Sequence, residues 1–150
     1  MNVPRSGYET VGGLVFFGRM LEKIRLYESG QLPDGYNLGW GFDDRCCELL
    51  KVDYQTLKKR VLEGGTDEEM LEWCFANGRR PSKDELLFFN HFMMKRGWRD
   101  EYCDWVSKQK EKLGVSDRED IQTCFDIHDA DEGRPAIASD YWRSEHPPER

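Results

Sequence analysis

The chain has 150 residues, 38% of them hydrophobic, which is enough for one domain with a well-packed core. Its net charge of -7, from 29 acidic and 22 basic residues, argues against a nucleic-acid partner, because neutralising phosphates requires a basic face. The apolar stretches are far shorter than the roughly 20 residues of a membrane-spanning helix, so no membrane partner is expected.

The first predicted elements are an extended arm over residues 1–9 and a helix that begins near Leu14. Apolar residues recur in this helix at helical spacing, at Leu14, Phe17, Leu21 and Ile24. Four charged residues are expected on its other faces, namely Arg19, Glu22, Lys23 and Arg25. The stretch "QLPDGYNLGWGF", residues 31–42, follows with one proline, three glycines and three aromatic residues, and it predicts one long Gly/aromatic loop.

Two short helices are predicted next, and aspartates begin both. Asp43 or Asp44 caps the helix "DRCCELLK", and Asp53 caps a helix that stops at Gly64 and Gly65. An aspartate at this position accepts a hydrogen bond from a backbone N–H group that the first turn of a helix leaves without a partner. We therefore expect both helices to begin where these carboxylates stand.

Three capping boxes are the clearest local signals in the chain. They are Thr66 with Glu69, Ser82 with Glu85, and Ser116 with Glu119. Each box places a hydroxyl at the N-cap and a carboxylate three residues later, where both accept hydrogen bonds from backbone N–H groups. A helix is therefore predicted to begin at each. The first of these helices should end at Asn77 and Gly78 in a left-handed turn, and Pro81 should prevent its continuation.

The helix after the second capping box is apolar on nearly every side over residues 86–94, which predicts a central helix surrounded by others. Further helices are predicted over residues 100–113 and after Ser116, and no alternating pattern of useful length predicts a strand. The expected fold class is all-α: a compact single-domain bundle of about six to seven helices over residues 1–134. Residues 135–150 are expected to be an irregular C-terminal tail, either partly docked by Tyr141 and Trp142 or mobile.

Two groups of side chains are candidates for chemistry. Asn90 and His91 are polar residues in the most apolar helix, where they could serve as a ligand contact and a general base, or be core residues satisfied by hydrogen bonds. Asp43, Arg45 and Cys46 lie at the start of a short helix, where an arginine and the helix N-terminus would lower the pKa of a thiol. Burial is the commoner fate of a free cysteine, so that alternative stays open.

The cysteines predict a reduced, cytoplasmic protein. There are five of them, none in a C-x-x-C spacing, and they follow no secretory or transit segment. Cys46 and Cys47 are adjacent and point about 100° apart on a helix, so one should be in the core and the other half exposed. The segment "DIHDADEGR" lacks the spacing of an EF-hand loop, and no zinc pattern occurs, so neither a metal nor a cofactor is expected.

The basic residues around the predicted central helix form two separate candidate sites for an anion. Arg79 and Arg80 precede this helix, and Arg96, Trp98 and Arg99 follow it. A helix of about fourteen residues is roughly 20 Å long, so its two ends cannot hold one small ligand. The alternative is that these arginines pair with acidic residues of the acid-rich region 100–132.

Several blocks of the sequence together resemble a known family. In chain order they are "MNVPRSGYETVGGLVFFGRMLEKIRL", "GFDDRCCELLKVDYQTL", "LEWCFANGRRPSKDE", "FMMKRGWRD" and "DIQTCFDIHDADEGR". They are similar to a bacterial family catalogued as domain of unknown function 5069, and the resemblance spans residues 1 to about 134. It implies a bacterial, single-domain, soluble protein, and it implies no activity, cofactor or active-site residue.

The sequence leaves three functions open. The first is a non-enzymatic helical module that binds a small anionic ligand or a partner protein. The second is a small enzyme whose cleft is formed by four residues, Asp43, Arg45, Cys46 and His91. The third is a structural or self-associating protein, such as a homodimer formed through exposed aromatic residues that include Trp40, Trp98 and Trp142.

Overall fold

A computed structural model describes residues 2–136, and this part of the chain has seven helices and one two-stranded sheet. The strands are β1 (Thr10–Val11) and β2 (Leu14–Val15). The helices are α1 (Phe17–Glu28), α2 (Phe42–Leu50), α3 (Tyr54–Leu62), α4 (Asp67–Asn77), α5 (Lys83–Lys95), α6 (Cys103–Leu113) and α7 (Cys124–Asp131). The predicted all-α class with six to seven helices is confirmed. The predicted docking of the tail by Tyr141 and Trp142 lies outside the described residues.

The chain divides into two compact units between Met94 and Lys95. In the first unit α1 packs against α2, α3 and β1, and in the second α6 packs against α7. The core of the first unit consists of apolar side chains from α1 to α4, including Phe17, Met20, Leu21, Ile24, Leu50, Leu57, Val61 and Met70. The single domain over residues 1–134 stays a prediction.

A β-hairpin precedes α1 and replaces the predicted start of the first helix. Thr10 pairs with Val15 and Val11 with Leu14, in antiparallel orientation. Gly12 and Gly13 make the two-residue turn with φ of 56° and 79°, a conformation that glycine adopts without the strain that a Cβ atom brings. The prediction that Leu14 belongs to the helix is therefore wrong. Leu14 is nevertheless buried, as is Val15, the other residue of this short strand.

The predicted caps of α3, α4 and α5 are confirmed. Asp53 accepts a hydrogen bond from the Thr56 N–H at 2.9 Å, and Thr66 accepts one from the Glu69 N–H at 3.1 Å. Ser82 and Glu85 cap α5 as a capping box in which each side chain accepts a hydrogen bond from the backbone N–H of the other residue. Oγ of Ser82 accepts from the Glu85 N–H, and Oε1 of Glu85 accepts from the Ser82 N–H, both at 3.1 Å.

Gly78 ends α4 in a different way from the one predicted. Its φ is -117°, so it is not in the left-handed conformation. A Cβ atom at this position would lie 1.9 Å from the carbonyl oxygen of Leu50 and 2.8 Å from that of Lys51. The backbone N–H of the next residue, Arg79, donates to the Leu50 oxygen at 2.8 Å. Glycine is required here because the turn after α4 lies against the backbone at the end of α2.

The helix predicted at Ser116 begins seven residues later. Thr123 caps α7 in a reciprocal box with Asp126. Over residues 116–122 the only buried apolar side chain is Ile121, so a helix there would have no apolar face to bury. From Cys124 onwards the chain supplies buried Phe125 and Ile127, and the helix forms where that face exists.

The start of α6 is likewise displaced from its predicted position at Asp100. The Asp100 carboxylate accepts hydrogen bonds from the backbone N–H groups of Gly97 at 2.9 Å and Tyr102 at 2.8 Å, which organises a turn rather than a helix. The helix itself begins at Cys103. In the same unit the Cys124 N–H donates to the Arg96 oxygen at 2.8 Å, so this turn is joined to the start of α7.

Candidate functional site

Lys23 of α1 and Asp43 of α2 form a buried ion pair in the first unit. Lys23 is 4% exposed and Asp43 is fully buried, and the lysine Nζ lies 2.7 Å from the carboxylate Oδ1. The prediction that Arg19 and Lys23 lie on outer faces of the first helix is wrong, because both are buried. The sequence indicated the burial of Lys23 only through its position, because Lys23 follows the buried Met20 by three residues and so lies on the same face of the helix.

The two charges hold the Gly/aromatic loop between α1 and α2. Lys23 Nζ donates to the Asn37 carbonyl at 2.7 Å, and Asp43 Oδ2 accepts from the Gly39 N–H at 2.9 Å. The Arg19 guanidinium lies over the ring of Tyr36, 5.7 Å from its centroid. The predicted long loop is therefore a segment fixed by buried polar contacts.

Burial also sets the protonation of this pair. Desolvation lowers the pKa of Lys23 and raises the pKa of Asp43, and in each case it exceeds the opposing attraction of the partner charge. Such shifts are frequent at functional sites, but they also occur in structural ion pairs. Lys23 and Asp43 bind each other, and each also bonds to the backbone of the Gly/aromatic loop. We therefore interpret this pair as a structural support of the loop.

Cys46 and Cys47 are not activated thiols. Burial, followed by the nearby Asp43 carboxylate, raises the pKa of Cys46 well above its ordinary value, and the same causes raise the pKa of Cys47 to about 12. Both cysteines are buried, so the prediction that one of them is half exposed is wrong. A negative neighbour disfavours the thiolate that nucleophilic chemistry requires.

Arg45 lies on the exposed side of α2, away from these buried groups. Its guanidinium is 5.8 Å from the centroid of the Phe92 ring of α5. His91, the neighbour of Phe92, is also exposed. Because Asp43 and Cys46 have no exposed surface, the four residues of the predicted enzyme cleft do not line one open cleft.

Asn90 joins α5 to the β-hairpin. Its side-chain Oδ1 accepts from the Val15 N–H at 3.1 Å, and its Nδ2 donates to the Gly13 carbonyl at 2.7 Å. One side-chain amide thus bonds both to Gly13 of the hairpin turn and to Val15 of β2. Asn90 therefore agrees with the alternative in which its polar groups are satisfied by hydrogen bonds within the protein.

Arg79 and Arg80 each bind a carboxylate of the same unit. Arg79 contacts Glu85 at 2.6 Å, and Arg80 contacts Glu72 at 3.1 Å. Arg80 also lies over the Phe75 ring, 4.2 Å from the centroid. Their carboxylate partners therefore come from α4 and α5, and not from the acid-rich region 100–132.

Glu85 allows the Arg79 contact to be tested. The hydrogen bond from Arg79, followed by that from Ser82, lowers the pKa of Glu85 from 4.5 to about 2. A depressed pKa in the folded state stabilises the fold above pH 4.5, and this contribution is lost as the pH falls towards 2. We expect the Glu85 carboxyl carbon to titrate near pH 2 by NMR, and Arg79→Gln to raise that midpoint.

Arg80→Gln is the matched control for this titration. Arg80 contacts Glu72 and not Glu85, so its replacement should leave the Glu85 midpoint in place. A Glu85 midpoint near 4.5 in the unmodified protein would contradict the pairing with Arg79.

Arg96, Trp98 and Arg99 lie in the second unit. Arg96 contacts Asp100 at 3.4 Å and Glu101 at 3.0 Å, so it does pair with acids of the region 100–132. The Arg99 guanidinium lies over the Trp98 ring, 4.9 Å from the centroid. Trp98 is about half exposed, and Arg99 has a left-handed backbone with φ of 52°.

The exposed surface of α5 is the feature that sequence reasoning missed. Leu87 is 37% exposed, Phe88 70% and Phe92 43%, and in this helix only Met93 and Met94 are buried. The prediction of a central helix surrounded by others is therefore wrong. We call Leu87, Phe88, His91 and Phe92 the α5 face. Residues three and four positions apart are neighbours on a helix surface, so these four form one patch.

A comparison with known families was decisive for classification. Residues 1–134 match the family described as Domain of unknown function (DUF5069). The chain belongs to this family. The sequence matches no curated protein. The DUF5069 region contains both the buried Lys23 and Asp43 pair and the α5 face, so both features belong to the domain that defines the family.

Two further observations describe this DUF5069 chain. Over residues 2–136, no three histidine, cysteine or acidic side chains come together in a way that could hold a metal ion. In the same part of the chain, every helix is too short or too polar to cross a membrane.

Proposed function

We propose that this protein is a helical module that binds a partner protein through the α5 face. The observation that carries the proposal is the exposure of Phe88, at 70%, between two other exposed apolar side chains of the same helix, Leu87 and Phe92. Clustered apolar exposure is typical of protein interaction sites, and aromatic residues are enriched at the centres of interfaces. Arg45 beside Phe92 supplies a polar margin of the kind that surrounds such centres.

A protein partner is favoured over a small anion. Anion binding requires cationic side chains directed at the ligand, and three of the arginines considered for that role contact carboxylates of the chain: Arg79, Arg80 and Arg96. A ligand would have to displace those contacts. The α5 face instead offers exposed apolar side chains, Leu87, Phe88 and Phe92, and removing apolar surface from water is favourable in itself.

An enzyme receives less support than a binding module. Asp43 is engaged by Lys23, and burial keeps the Cys46 thiol protonated. His91 is exposed and lies on the α5 face. We place the protein in the cytoplasm of a bacterial cell as part of this proposal, supported by five free cysteines and by the family resemblance.

The proposal is tested by replacing Phe88 with serine. Central aromatic residues contribute most of the binding energy of many interfaces, so we expect Phe88→Ser to reduce capture of the partner by about tenfold or more. The measurement is affinity capture from a lysate of the cells that make the protein, with the bound proteins quantified by mass spectrometry. Circular dichroism should show an unchanged fold, because the Phe88 side chain is 70% exposed.

Leu62→Ser is the matched control. Leu62 of α3 is 43% exposed and thus resembles the α5 residues in exposure, but it lies on another helix. We expect capture by this variant to match that of the unmodified protein. Equal capture by Phe88→Ser and Leu62→Ser would refute the α5 face as the binding surface.

A further inference from the structure

The exposed side of α5 has the spacing of a helix-pairing seam. Asp84, Phe88, His91 and Lys95 are all exposed and are separated by four, three and four residues, which places them along one line of the helix. Leu87 and Phe92 flank this line on its two sides. An alternation of three and four residues is the repeat by which one helix packs along another.

The same seam is complementary to itself when one copy is reversed. In an antiparallel pair with a twofold axis at the middle of α5, Asp84 of one copy lies opposite Lys95 of the other. Phe88 then lies opposite His91, and each contact occurs twice. Opposite charges meet at both ends, and aromatic rings meet in the middle. In a parallel pair the same residues would place Asp84 against Asp84 and Lys95 against Lys95, which is unfavourable.

We infer that the partner bound by the α5 face is a second copy of this chain, packed antiparallel along α5. This inference rests on the proposed function and names the partner of the same surface. A second copy is favoured over an unrelated helix because Asp84 and Lys95 have opposite charges, and each copy provides both the acid and the base that the two ion pairs require. The two aromatic layers supply the apolar burial, and the ionic ends fix the direction and register.

Sedimentation equilibrium of the full-length protein tests the inference. The unmodified protein should show a reversible dimer over a range of concentrations. Asp84→Lys or Lys95→Asp alone places like charges opposite each other, and each should weaken dimerisation by about tenfold or more. The double variant Asp84→Lys with Lys95→Asp restores opposite charges and should return to within a few-fold of the unmodified protein.

The two single charge-reversal variants also show whether the net charge of the protein, and not the seam, controls dimerisation. Asp84→Lys makes the net charge less negative and Lys95→Asp makes it more negative, so weakening by both cannot come from general repulsion between copies. Lys83→Asp is the control, because it makes the same charge change as Lys95→Asp beside the seam and not within it. It should leave dimerisation unchanged.

Two outcomes would overturn the inference. One is an unmodified protein that stays monomeric at every concentration, and the other is a dimer that both single reversals leave intact. Neither decides the proposed function, which fails only if Phe88→Ser leaves partner capture unchanged. A monomer whose capture of another protein depends on Phe88 would keep the binding module and replace its partner.

Discussion

Replacing Lys23 with methionine is expected to lower the free energy of unfolding by about 3–5 kcal/mol. Methionine keeps the linear shape of the side chain but leaves Asp43 fully buried without its cation. The hydrogen bond to the Asn37 carbonyl is lost as well, so the Gly/aromatic loop loses one of its attachments. Equilibrium urea denaturation, followed by circular dichroism, measures the effect.

Lys51→Met is the control for this experiment. Lys51 also contacts a carboxylate, that of Glu48, but the side chains are 55% and 71% exposed. An exposed ion pair contributes little, so we expect a change below about 0.5 kcal/mol. The double variant Lys23→Met with Asp43→Asn should cost less than the two single variants together, because it removes the isolated charge. A Lys23→Met cost equal to that of Lys51→Met would contradict the importance of the buried pair.

The free energy of unfolding of the Lys23→Met variant should also depend more strongly on pH than that of the unmodified protein. Burial already raises the pKa of Asp43, and loss of the lysine removes the main opposing attraction, so the pKa rises further. A folded-state pKa above the ordinary value of 3.8 stabilises the fold most below pH 3.8. That stability is lost as the pH rises through the raised pKa. The difference from the unmodified protein should therefore be smaller at acid than at neutral pH.

Gly78→Ala is expected to cost about 3 kcal/mol or more, although it adds only a methyl group. The new Cβ would stand 1.9 Å from the Leu50 carbonyl oxygen, which is backbone and cannot rotate aside. The turn would have to move, and the hydrogen bond from Arg79 to Leu50 would be lost with it. Urea denaturation again provides the measurement.

Gly30→Ala separates this steric effect from the general cost of losing a glycine. Gly30 has a φ of 70°, and nothing lies within 4 Å of the position its Cβ would take. Alanine there should cost only the strain of a left-handed backbone, about 1 kcal/mol. If Gly78→Ala were no worse than Gly30→Ala, the close approach of the two backbone segments would be refuted.

Local hydrogen bonding made several helix starts predictable. Asp53, Thr66 and Ser82 each cap a helix through an N–H group three residues away, so the required groups are adjacent in the chain. The same rule failed at Ser116, where a capping box is present but the following residues have almost no apolar side chain to bury. A cap stabilises a helix end by about 1 kcal/mol, and it cannot replace the packing of a helix face.

The candidate site was less predictable than the helices. Asn90 was expected in the right helix, yet its partners lie more than seventy residues earlier, in the hairpin. Lys23 and Asp43 are charged residues whose burial depends on each other, and no local pattern relates them. The α5 face was misjudged because a helix that is apolar on every side does not indicate which side is covered.

The sequence by itself determined the all-α class, the family, and the starts of α3, α4 and α5, because these starts depend on residues within a few positions of one another. Only the tertiary structure decided that Lys23 and Asp43 are buried together, that Gly78 lies against α2, and that Phe88 is exposed. Each of these depends on which distant segment comes to lie beside the residue. Burial is a property of that whole arrangement, and a local pattern records only how much apolar surface is available to bury.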